Sequence, residues 1–219
     1  MSKEQNVINY YVVCNKLKDV IRTGWLDYKT KRDRIESVAE HVFGVQMLAI
    51  AMKSEYEYDI DILKVIYMLA IHELGEAIIG DITDFQITKE EKIRIEHEAV
   101  HNILSPMIDG ATIEALFLEF DAHETPEAKF AFQCDKLECD IQCKLYDEEG
   151  CVDLRDQADN DTVDQEELKE QLAAGKTWSD TWIEYDRNKN IYDEHFLAIS
   201  HYIQDNKIKN PIQSVSIQE

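Results

Sequence analysis

His72 and Glu73 are adjacent, and Glu76 follows one helical turn after His72; these are the side chains in this sequence best suited to chemistry. On a helix, an imidazole and a carboxylate at i and i+4 share a face. The run before them (Ile62, Leu63, Val65, Ile66, Met68, Leu69, Ala70, Ile71) is apolar and reads as core. Charged groups are costly there unless a metal ion or a partner satisfies them, so the stretch 71–81 is read as a binding site. Gly80 then offers a helix stop, with Asp81 in the turn after it.

Two more residues have the right chemistry in improbable places. His41 falls in the first turn of a predicted helix, ahead of Phe43, Val45, Met47, Leu48 and Ile50. A lone histidine there usually packs as a core residue, so its case depends on what meets it. Asp135 lies on the inward stripe Ala128, Phe132, Asp135, Cys139 and Cys143, where an apolar residue is expected. A buried carboxylate needs a cation, a hydrogen-bond network or a metal, and pairing with Lys136 is the plain alternative. Together His41, His72, Glu73 and Asp135 offer two imidazoles and two carboxylates from three helices. Such a set suits a divalent ion such as Mn, Fe, Co, Ni or Zn, with positions left for water and substrate.

The positioning elements read as all-α. Seven glycines and three prolines are few for 219 residues, and no run of alternating β-branched residues is evident. Helices are expected over about 7–21, broken by Gly24, and over 38–52, started by a Ser37–Glu40 capping box. Asp59 is expected to cap a helix over about 60–79, and Thr88 with Glu91 starts one ending near Leu104. A short helix over 111–120, a long one from Pro126 with Thr125 as its cap, and a last one over about 191–203 complete the set. The acidic stretch 147–170 reads as a solvated excursion.

Other signals were weighed and set lower. HEAVH, His97 to His101, matches the H-E-x-x-H zinc-protease pattern, but Leu104 and Met107 stand where the extended motif needs Gly and His. Cys139 and Cys143, at i and i+4, lack a C-x-x-C partner and read as small buried helix residues. Lys29, Lys31, Arg32 and Arg34 form either a solvated loop or a local positive field for a small anion. DNDTVDQEE lacks the glycine and final ligand of a calcium loop, and Gly175-Lys176-Thr177 lacks the first glycine of a phosphate loop.

Composition narrows the partners. With 45 acidic against 23 basic side chains the formal charge is -22, which opposes binding to nucleic acid or to an anionic membrane. No apolar run approaches the roughly 20 residues of a spanning helix, and no leader pattern opens the chain. Five cysteines are a poor disulfide framework, so the expected compartment is the cytoplasm.

The segments LKDVIRTGW, ESVAEH, IHELGEAIIGDI, EEKIRIEHEAV and EAKFAFQCDKLE, in this order over roughly residues 17–148, resemble the HD-domain metal-dependent phosphohydrolases. Among these the chain looks like the 5′-deoxynucleotidases. The resemblance implies a single HD-domain helical bundle over 1–205, with 206–219 a polar tail. It implies metal ligation by His41, His72 and Asp135, with Glu73 at the place of the family's Asp. Glu76 matches the acid that assists catalysis, Asp81 a residue at the nucleoside end of the pocket, and Arg22 and Trp25 the segment that contacts sugar and phosphate.

The implied cofactor is one divalent ion (Mn, Co, Fe, Zn, Ni or Mg). The implied reaction is hydrolysis of a (deoxy)nucleoside 5′-monophosphate, a small-molecule substrate, by a homodimer. Alternatives are an HD phosphodiesterase, an alarmone hydrolase, or a binding protein impaired by Glu73. The family takes its name from His-Asp, and this chain has His-Glu.

Overall fold

The computed structural model describes residues 2–83, 86–160, 163–190 and 192–208. Among these residues the fold is all-α, the one β feature being an isolated antiparallel bridge between Ile21 and Ser37. Helix α1 (Lys3–Asn15) is capped by Ser2 and gives way to a single 3-10 turn at Lys16–Lys18, short of the expected end at residue 21. The backbone explains the difference: Arg22 N–H donates to the Glu36 carbonyl at 3.1 Å and Val38 N–H to the Val20 carbonyl at 2.8 Å. The extended strap satisfies groups that a continued helix would have used. Gly24 therefore breaks nothing and lies inside the short α2 (Thr23–Asp27). Val7 and Tyr11 are exposed, whereas Leu17 is buried.

Helix α3 (Val38–Glu55) begins with both halves of the Ser37–Glu40 capping box in place. Helix α4 (Ile62–Ile71) is capped by Asp61 rather than Asp59, and it stops before the chemically important residues. Residues 72–75 form turns, and α5 (Glu76–Ile79) follows, so the expected continuous helix over 60–79 is two helices with a tight corner between them. At that corner Leu74 N–H donates to the Ile71 carbonyl and Glu76 N–H to the Glu73 carbonyl, i to i+3 bonds that tighten the chain. A Cβ on Gly75 would lie 2.6 Å from Glu96 Cγ, so the glycine permits the close approach of α6 (Lys89–Leu104). Gly80 ends α5 at φ 78°, the left-handed region that favours glycine.

Helix α7 (Gly110–Ala122) leads to α8 (Pro126–Glu148), which has Thr125 as its cap and Pro126 in its first turn. Helix α8 is the axis of the bundle. Its Ala128, Phe130, Ala131, Cys134 and Leu137 pack in one cluster with Val45, Ala49 and Met52 of α3 and Val65, Met68 and Leu69 of α4. Burying each of the larger side chains contributes about 1.5–3 kcal/mol, which anchors the three helices that carry the site.

The stretch 147–170 is no solvated excursion. Cys151, Leu154 and Leu168 are buried against Trp25, Tyr146 and Trp178. Gln157 and Asn160 are also buried, with amide donors on the Tyr28 and Asp27 carbonyls. Its acidic residues meet the basic segment, Lys29 pairing with Asp159, Lys31 with Asp156 and Arg32 with Glu149. The expected positive field for a small anion is thereby neutralised, Arg34 being paired with Glu40.

Helix α9 (Gln165–Ala173) is followed by α10 (Trp178–Lys189), which the sequence reading missed although Thr177 and Asp180 form a reciprocal capping box. The last helix, α11 (Glu194–Asp205), is capped by Asp193. Of the expected tail, 209–219 lies outside the described residues.

Candidate metal centre and adjoining cavity

Helix α3 brings His41, the end of α4 brings His72, the corner brings Glu73 and α8 brings Asp135 to one buried point. One ligand atom from each lies within 4.8 Å of all the others. His41 Nε2 is 3.0 Å from Asp135 Oδ1, and His72 Nε2 is 3.7 Å from both Asp135 Oδ1 and Glu73 Oε1. The orientation of the rings is set behind them. His72 Nδ1 lies 2.8 Å from the Leu69 carbonyl, which can only accept, so that nitrogen carries a proton. Its Nε2 is buried and makes no hydrogen bond among the described residues.

His41 Nδ1 lies 2.6 Å from Glu138 Oε2, a residue the sequence reading did not single out. A carboxylate behind a ligating histidine fixes its tautomer and raises its basicity. The signal was available, because Glu138 follows Asp135 by three residues on the same helix.

The donor set therefore fits a divalent ion: an unpartnered imidazole nitrogen, a second imidazole backed by carboxylate, and two carboxylates, in a buried pocket. The plain alternative for Asp135 is present, since Lys136 Nζ takes Oδ2 at 2.8 Å, while Oδ1 faces the histidines. Burial opposes ionisation of Asp135, yet Lys136, the bond from His41 and the nearby His72 hold its carboxyl well below the usual range. Burial likewise works against Glu73, and the His72 and Arg22 charges bring it down to about 2.

For His41, burial and the Arg22 charge push downward, but its bonds to Asp135 and Glu138 raise it to about 9. Below that pH a proton on Nε2 competes with an ion. Because ligands must be deprotonated, affinity for Mn(II) should rise with pH, by up to about tenfold per unit for one displaced proton. Calorimetry at pH 6.5 and 7.5 in buffers of different ionisation enthalpy reads both the affinity and the proton released; a flat affinity would count against His41 as a ligand.

Gly44 supports the same pair. A Cβ there would run into Glu138 Oε1 and lie 3.1 Å from its Cδ. Gly44→Ala should therefore push Glu138 off His41 and destabilise the fold by about 1–3 kcal/mol, the usual cost of overpacking. A melting temperature equal to wild type, with unchanged affinity for Mn(II), would show that Glu138 moves aside freely.

Around the four ligands stand the other expected residues. Glu76 is 1% exposed, its Oε2 makes no hydrogen bond among the described residues, and Lys92 Nζ is 3.9 Å from Oε1. Burial, then the Glu73 and Asp81 charges, push its carboxyl well above the ordinary range. Arg22 Nη1 is 3.2 Å from Glu73 Oε1, and Nη2 is 3.1 Å from the Cys139 thiol. Asp81 is fixed by Thr23, whose N–H donates to its Oδ2 at 2.6 Å and whose hydroxyl donates to its carbonyl at 2.5 Å. Trp25 is 2% exposed and gives its indole N–H to Glu36 at 2.8 Å, so most of the ring belongs to the core.

Arg22, Gly24, Trp25, Asp81, Thr83 and Trp182 line one cavity of about 140 Å³. The rejected protease pattern assembles nothing: His97 pairs with Asp121 and His101 with Glu114. Cys139 and Cys143 are buried and free.

Known proteins resemble this chain in sequence and in fold. The HD domain matches residues 14–178. A Dictyostelium discoideum protein named 5′-deoxynucleotidase HDDC2 is 32% identical over 152 residues, covering 66% of this chain and 79% of its own length. A Schizosaccharomyces pombe protein named 5′-deoxynucleotidase hdd1 is 31% identical over 153 residues, covering 67% and 75%. A solved structure, a conserved hypothetical protein from Pyrococcus furiosus, aligns with TM-score 0.57 and 30% identity over 68% of this chain and 87% of its own. A second, from Pyrococcus horikoshii, aligns with TM-score 0.64 over 90% and 98% at 24% identity, which speaks for the fold. With three quarters of its length inside the match and a His-Glu pair at its centre, this chain belongs to the HD-domain family, among its 5′-deoxynucleotidase-like members.

Proposed function

We propose that this protein is a phosphohydrolase that uses one divalent ion to release phosphate from (deoxy)nucleoside 5′-monophosphates. The observation that carries the reading is the convergence of four ligand atoms, from three helices and a corner, beside a buried Glu76 and a charged Arg22. The names of the relatives, 5′-deoxynucleotidases, supply the substrate class.

Uncatalysed phosphate-monoester hydrolysis is so slow that the site must supply about 20 kcal/mol of transition-state stabilisation. A divalent ion held by His41, His72, Glu73 and Asp135 would neutralise phosphoryl charge and lower the pKa of water beside it. Arg22 adds fixed positive charge on the phosphoryl oxygens, and its contact with Glu73 holds the guanidinium in place. Glu76, kept protonated by burial, holds a proton that it delivers toward the departing O5′. Asp81 and the cavity behind Arg22 take the nucleoside end. The Glu73 side chain reaches the cluster from the corner rather than from a helix.

A panel of deoxynucleoside and ribonucleoside monophosphates, cyclic nucleotides and alarmones, assayed for released phosphate with Mn(II) or Co(II), tests the reading. Release from the monophosphates is expected; cleavage confined to the cyclic nucleotides or alarmones would replace it. Phe43, Met47 and Ile50 are exposed along one face of α3, which supports self-association as a homodimer. Sedimentation at the mass of one 25.5 kDa chain would exclude that. Five free thiols support a reducing compartment such as the cytoplasm. No helix among the described residues is long and apolar enough to cross a membrane.

A further inference from the structure

The cavity next to Arg22 has a wall that the family match does not reach. Trp182 lies on α10, beyond the matched residues 14–178, yet it lines this cavity with Arg22, Asp81 and Thr83. Its ring is held in place by neighbours. It lies 5.2 Å from Trp25 at 33°, and meets Tyr28 and Trp178 edge-on at 5.7 and 5.9 Å. A Cβ on Gly24 would lie 3.5 Å from Trp182 Cη2, so the indole approaches the chain two residues from Arg22.

Two polar atoms among the cavity's lining residues are buried without a partner among the described residues: the indole Nε1 of Trp182 and the hydroxyl Oγ1 of Thr83. An unmet buried donor and an unmet buried hydroxyl together are costly, unless a ligand completes them. The other polar groups of the wall are already engaged, Asp81 with Thr23 and the Trp25 N–H with Glu36.

We infer that Trp182 and Thr83 form the nucleobase subsite, taking a planar heteroaromatic ring against the indole, with its ring or carbonyl acceptors on Trp182 Nε1–H and the Thr83 hydroxyl. Aromatic rings offer every base a stacking partner, and the two polar groups give the ring a fixed edge to meet. Arg22 belongs both to this cavity and to the ion cluster, through Glu73, so one nucleotide can span the two. The inference rests on the proposed nucleotidase reading and adds the residues that hold the base.

The test compares dAMP with deoxyribose 5-phosphate, which keeps sugar and phosphate but has no base, on protein loaded with Mn(II). Trp182→Leu should raise KM for dAMP by about 10- to 100-fold, the range that loss of one base stack allows. It should leave kcat, and KM for deoxyribose 5-phosphate, near wild type. Trp182→Phe keeps a ring and a folded core while removing the N–H, and should raise KM for dAMP by about 3- to 10-fold.

Equal KM increases for the two substrates would overturn the base assignment in favour of a sugar contact or a structural role. So would an unchanged KM for dAMP in both variants. Calorimetric binding of deoxyadenosine to the same proteins needs no turnover: binding by wild type that Trp182→Leu abolishes upholds the subsite even if no substrate is hydrolysed, an outcome that overturns the reaction alone. Absence of deoxyadenosine binding together with absence of hydrolysis overturns both.

Discussion

Replacing Asp135 by alanine should strip the protein of the divalent ion proposed for this site and leave only a trace of phosphate release. Asp135 Oδ1 is the oxygen that His41 and His72 both face, at 3.0 and 3.7 Å, and the opposite oxygen is held by Lys136. Alanine removes a ligand and leaves two imidazoles and a lysine around an empty place with no counter-charge. An ion contributes several kcal/mol to the reaction, and each 1.4 kcal/mol or so is a tenfold change, so kcat/KM should fall by about a thousandfold or more. Elemental analysis after dialysis should find well under one ion per chain, and added Mn(II) should no longer raise the melting temperature. Retention of one tightly bound equivalent would show that the ion is held elsewhere.

Glu76→Gln should separate chemistry from ion binding. The variant keeps the volume of a fully enclosed side chain but can neither hold nor deliver the proton. Loss of a positioned acid or base costs about 10²- to 10⁴-fold, and the loss should fall on kcat with KM and ion content near wild type. A stability signature should accompany it in the ion-free protein.

Folded Glu76 keeps its proton well above the pH, near 4.3, at which an unfolded glutamate loses its own. Between those two values the folded state binds more protons than the unfolded one, so this group costs wild type stability as pH rises through that window. Glutamine carries no such cost, and the melting temperature of the variant should gain on wild type from pH 5 to pH 8. Full activity in the variant would remove Glu76 from the mechanism; a melting difference that is flat with pH would mean that Glu76 is already ionised.

Much of this was legible along the chain because it depends on local rules. The caps Ser37, Thr88 and Thr125 start α3, α6 and α8 where the side-chain chemistry requires them to. Asp135 was visible as a carboxylate out of place on an apolar stripe, and the His72-Glu73 pair as charge at the end of an apolar run. What local rules could not reveal was the corner at residues 72–75. A continuous helix fitted the apolar pattern there apart from Gly75, and only the structure shows the chain tightening into turns where Gly75 passes close to Glu96 of α6.

The acidic stretch 147–170 misled for a related reason. Its charges look solvated until the basic residues 29–34 are placed opposite them, which more than 100 residues of intervening chain conceal. Helix α10 went unread despite its Thr177–Asp180 cap, and with it went Trp182, whose meaning depends on Gly24 and Trp25 being its neighbours.

By itself, then, the order of residues determined the all-α class and the main helix starts, and it put forward His41, His72, Glu73 and Asp135 as candidates for holding an ion, because capping, periodicity and burial cost act within a few residues. Only the tertiary structure decided which nitrogen of each imidazole faces the centre, that Glu138 and Gly44 stand behind His41, and that Trp182 closes the cavity beside Arg22. Those relations join groups far apart in the chain, and they are set by packing around α8, which no local pattern encodes.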